Sequence, residues 1–66
     1  MDKKEIHYEI ITALEKLEEI YNHIDNAMSL AVSDSFLQDT LHVASRNLGT
    51  TRMKLQVAQD ITETMD

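Results

Sequence analysis

A heptad repeat in the first half of the chain limits what the rest can become. Ile6, Ile10, Ala13, Leu17, Ile20, Ile24, Ala27 and Ala31 follow one another at alternating steps of four and three. This spacing keeps one apolar seam on one side of an α-helix for more than three heptads, the pattern of a coiled coil. Leu14, Tyr21 and Met28 form a second row, each one residue beyond a seam position. At about 100° per residue the two rows span an apolar arc roughly 140° wide. A two-stranded seam uses less, so an arc this broad fits a helix with two neighbours, as in a bundle. Glu5, Glu15, Glu19, Asn22 and Asn26 fall on the other side and face water. The chain has no Pro and its single Gly is Gly49, so nothing interrupts the run.

The same reasoning carries down the chain. Asp2 is placed to cap the first helix, with Glu5 three residues on in the capping-box position. The helix is expected from about residue 3 to about residue 31. Val32, Ser33, Asp34 and Ser35 make the clearest turn, because Ser and Asp side chains compete for backbone hydrogen bonds. Ser35 and Gln38 repeat the capping-box spacing, which starts a second helix at residue 35 and runs it to about 63. So short a connection makes the helices antiparallel neighbours. The expected fold is all-α: one helical-hairpin domain over residues 1–66, with a turn at 32–35.

The second helix carries more apolar surface than a hairpin can use. Its main stripe is Leu37, Leu41, Ala44, Leu48, Thr51, Leu55, Ala58 and Thr62. A further row, Phe36, Val43, Val57 and Ile61, lies about 110° away, with Thr50 filling the long step. Gly49 allows two readings. It could end the helix and let Thr50 or Thr51 start a third. Alternatively the helix runs through, at a cost of about 1 kcal/mol relative to Ala. The unbroken phase of the stripe across Gly49 favours the continuous helix.

Size makes the surplus consequential. Sixty-six residues form one small core at most. Chains below roughly 70–80 residues gain stability from disulfides, a metal or association. There is no Cys, which removes disulfides and thiolate metal sites. Association remains, and the expected result is a four-helix bundle, made by dimerisation or with another protein's helix.

Charge narrows the function classes. The net charge of −6 opposes general nucleic-acid binding and docking on anionic membranes. No apolar run is long enough for a transmembrane helix, and the start Met1-Asp2-Lys3-Lys4-Glu5 has no apolar signal core. A cytoplasmic location is the expectation, or export by a route without a cleavable signal. Residues 5–25 hold Glu5, Glu9, Glu15, Glu18, Glu19 and Asp25 against Lys16, while residues 40–59 hold Arg46, Arg52 and Lys54 and no acid. Folding back near residue 33 or 34 would set Arg52 near Glu15 and Arg46 near Glu18–Tyr21.

Chemistry-bearing constellations are sparse. Glu19 and His23 are four apart, and Asp39 and His42 three apart, on helices that the turn brings together. Bundles build metal sites from such pairs, but these residues lie outside the apolar stripes and no inward carboxylates support them. His7 sits beside the seam with no evident partner. Ser29, Ser33, Ser35 and Ser45 have no elbow or base to activate them. One Gly makes no phosphate loop. No enzyme activity and no cofactor are expected. The leading function is a non-enzymatic helical interaction module of regulator, chaperone or inhibitor type. Its partner-binding residues would be Leu14, Tyr21, Met28, Phe36, Val43, Val57 and Ile61. A metal-binding bundle on Glu19, His23, Asp39 and His42 is the alternative. An acidic decoy of a nucleic-acid-binding protein is a second.

Overall fold

In the computed structural model, which describes residues 2–64, the chain is two helices packed side by side as a hairpin. Helix α1 covers Lys3–Leu30 and helix α2 covers Ser35–Thr64. The molecule is a rod of 52 × 16 × 13 Å.

Local chemistry accounts for where each helix starts and stops. Asp2 has extended backbone angles and its carboxylate accepts the Lys4 N–H at 2.9 Å, satisfying one of the free donors at the start of α1. At the other end the Ala31 N–H donates to the Ala27 and Met28 carbonyls. The Asp34 N–H then donates to the Ala31 carbonyl at 3.1 Å and closes the turn. The cap of α2 is Asp34, not Ser35: its carboxylate accepts the Leu37 N–H at 3.0 Å, and its carbonyl accepts the Gln38 N–H. A carboxylate is the stronger acceptor, and Ser35 becomes the first helical residue. Gln38 is thereby released from capping its own helix. Its side-chain amide donates instead to the Met28 carbonyl at 2.9 Å, which ties the start of α2 to the end of α1.

α2 passes through Gly49 without a break and without positive φ. A Cβ built on Gly49 would meet the Tyr21 hydroxyl at 3.5 Å, an ordinary van der Waals distance. The small residue therefore lets the largest side chain of α1's second row lie against α2, yet it is not sterically required. Gly49→Ala should stabilise the chain by about 0.5–1 kcal/mol through helix propensity. Its thermal midpoint should rise by a few degrees. A lower midpoint by circular dichroism would mean that the helices approach more closely here than the structure shows.

Packing turns α2 slightly from its expected phase. Leu41, Ala44, Leu48, Leu55 and Ala58 are half-buried and Thr62 is buried, but Leu37 and Thr51 are exposed. Ser45, Gly49, Arg52 and Gln59 are half-buried in their place, so the seam on α2 is wider and more polar than its leucines suggest. On α1 the seam and the second row both face inward, except that Ile20 is exposed. Among the described residues the buried apolar side chains are Leu17, 6% exposed, and Ala31. The solvent-accessible surface is 5239 Å² for a 7.6 kDa chain. A compact monomer of that mass is expected to expose about 4300 Å². The hairpin thus has a shape but little interior.

Candidate protein-interaction surface

The two long sides of the hairpin differ in chemistry. One side is closed by polar side chains. Arg52 Nη1 donates to Glu18 Oε1 at 3.0 Å, and its guanidinium carbon lies 5.6 Å from the centre of the Tyr21 ring. Tyr21 in turn rests beside Gly49. Simple fold-back set Arg52 near Glu15 and Arg46 near Glu18–Tyr21; Arg52 does line a hollow with Glu15, and Arg46 one with Tyr21, but the ion pair of Arg52 is with Glu18. Glu18 lies one helical turn before Tyr21 and shares its face, so an arginine drawn onto that ring meets Glu18. Both partners are substantially exposed, and such pairs contribute about 0–1 kcal/mol. They orient the helices more than they hold them.

At the open end, His7 Nδ1 lies 3.2 Å from Thr62 Oγ1. The Thr62 hydroxyl donates its one proton to the Gln59 carbonyl at 2.7 Å. His7 Nδ1 must therefore carry the hydrogen and donate to Thr62. This supplies the partner that the sequence did not reveal for His7, and it explains how Thr62 can be only 4% exposed.

Of the residues expected to bind a partner, the structure separates two groups. Leu14, Tyr21 and Met28 are half-buried and lie on the side of α1 that meets α2, so the hairpin itself occupies part of this row. Phe36, Val43, Val57 and Ile61 are exposed, from 50% for Val43 to 82% for Phe36. At about 100° per residue they lie roughly 120° or more from Leu48, on surface that α1 cannot reach. Among the described residues, none covers more than about half of any of them. No protein-family model matches this sequence, and comparisons with curated proteins and with solved structures found no significant match.

The apolar surface extends beyond those four. Ile20 and Leu37 are partly exposed near the seam, and Leu30, Val32 and Phe36 crowd the turn, at 87%, 76% and 82% exposure. Sequence reasoning missed Leu30 and Val32 because they lie outside the heptad pattern. The signal that could have found them is a cluster of large apolar residues bracketing a polar turn.

Glu19, His23, Asp39 and His42 are all exposed. Among the described residues no group of three or more His, Asp or Glu side chains is gathered for a metal ion. None of the carboxylates, histidines or serines described is buried. Among the described residues no helix is long and apolar enough to cross a membrane.

Proposed function

We propose that the chain is a non-enzymatic helical interaction module that completes a four-helix bundle, either as a homodimer or around another protein's helix. The observation that carries this reading is the exposure of Phe36, Val43, Val57 and Ile61 in a chain that buries so little else. Four large apolar side chains set in one row along a helix and left half or more in water mark an interaction surface. Hydrophobic burial is the main term opposing chain entropy, and here most of the apolar residues are only half-buried. Covering the open row supplies what the hairpin lacks. Recognition would be that of an amphipathic helix in a groove, with anchors at heptad spacing. Regulator, chaperone and inhibitor roles all use such a surface. The exposed, ungathered positions of Glu19, His23, Asp39 and His42 give no support to the metal-binding alternative.

Light scattering joined to thermal melts at several chain concentrations tests the proposal. Helicity and melting temperature should rise with concentration, or on adding a host partner, as mass action requires. A cooperatively melting monomer whose midpoint ignores concentration would overturn it.

A further inference from the structure

We propose that the open face of α2 takes a helix of another protein, one whose apolar stripe carries carboxylates at its middle and cations toward both ends. This inference rests on the interaction-module reading and adds the class of partner and the charge order that selects it.

The face is a second heptad seam. Phe36, Val43, Thr50 and Val57 recur every seven residues, and Asp39, Arg46, Met53 and Asp60 follow each of them by three. Alternating steps of three and four keep both rows on one side of a helix. At about 100° per residue that side points away from the half-buried stripe of Leu41, Leu48 and Leu55. Lys54 and Ile61 stand beside it. Every residue of this outer seam is exposed.

Its charges are ordered. Along the seam they run Asp39, Arg46, Lys54, Asp60: acid, base, base, acid, with His42 at one edge. Among the described residues none of the four makes an ion pair, and the pair of Arg52 with Glu18 lies on the flank. Beside Arg46 a hollow is lined by Tyr21, Gly49, Arg52, Met53 and Gln56. Gly49 puts no side chain into it, while Arg46 and Gln56 bring N–H donors to its wall. A carboxylate entering there gains charge-assisted hydrogen bonds.

This order disfavours a second copy. It reads alike from either end. A parallel copy sets each charge on its own counterpart. A fully overlapping antiparallel copy sets Asp39 on Asp60 and Arg46 on Lys54. Like charges across an interface suppress the wrong partner. The net charge of −6 adds to the repulsion. A second copy covers the apolar residues but opposes the charges, so it is the weaker occupant. A helix with the order base, acid, acid, base pairs all four charges in either direction. Its acids are about one heptad apart and its bases about three.

Two synthetic helical peptides, each about four heptads long, test the charge order. They share one apolar stripe and one net charge. Along the stripe one carries base, acid, acid, base and the other acid, base, base, acid. Fluorescence anisotropy of the labelled peptides against the full chain should show the first binding about tenfold tighter, four exposed pairs acting together. In 1 M salt, where screening shortens to about 3 Å, the gap should close. Arg46→Glu with Lys54→Glu should erase the preference; both positions are exposed, and circular dichroism checks that helicity is kept. Equal binding of the two peptides to the parent chain would overturn the charge order and leave the interaction reading standing. A homodimer that neither peptide displaces would overturn the foreign helix and also leave that reading standing. No binding of either peptide to a stably helical monomer would overturn both.

Discussion

Leu17→Ala is expected to abolish cooperative unfolding. Leu17 is the one large apolar side chain described as buried, and it lies in the seam near the middle of α1. Removing a buried leucine costs about 2–5 kcal/mol, part from lost transfer and part from the void. Small domains have total stabilities of only about 5–15 kcal/mol, and a chain that buries so little sits at the lower end. The loss therefore takes most of what holds the pair together. Thermal melts followed at 222 nm should change from a sigmoid to a shallow slope. Glu19→Ala, on an exposed turn of the same helix, should leave the sigmoid in place. If Leu17→Ala melts within a few degrees of the parent, the packing of α1 on α2 is not the source of stability.

The second large effect is on association. Phe36→Ser with Val43→Ser should weaken self-association by at least ~30-fold, because truncating a large interface anchor costs about 2 kcal/mol or more. Both positions are exposed within the hairpin, and Ser is close to Phe and Val in helix propensity. The substitutions therefore remove little from the isolated chain. They act on whatever covers the row. Sedimentation equilibrium should show the loss, with helicity recovering at high chain concentration. An unchanged dissociation constant would exclude this row from the interface.

These two substitutions also mark what was legible in advance. Leu17 is read directly from the seam, because a four–three repeat can bury only one side of a helix. The surplus row on α2 is equally legible, since its spacing matches the seam while its direction does not. The inward turn of Leu14, Tyr21 and Met28 was not legible. It depends on how α2 packs, with Gly49, twenty-eight residues beyond Tyr21, lying beside the tyrosine. The tyrosine hydroxyl would meet a Cβ there only at ordinary contact distance. No local pattern links the two. The cap at Asp34 was obscured for a simpler reason: adjacent Ser and Asp both offer an oxygen, and only the backbone geometry shows which one reaches an amide.

The amino-acid order by itself determined two long helices, a short polar connection and therefore an antiparallel pair. Each of these follows from local terms: hydrophobic period, capping and the absence of breakers. Tertiary structure alone decided the fine register, which put the Arg52 ion pair on Glu18 beside Tyr21, and the rotation of α2, which left Leu37 and Thr51 exposed and brought Ser45, Gly49, Arg52 and Gln59 to the seam. Register and rotation depend on how side chains from distant positions interdigitate. A helix presents several nearly equivalent faces, and close packing of side chains from both helices chooses among them.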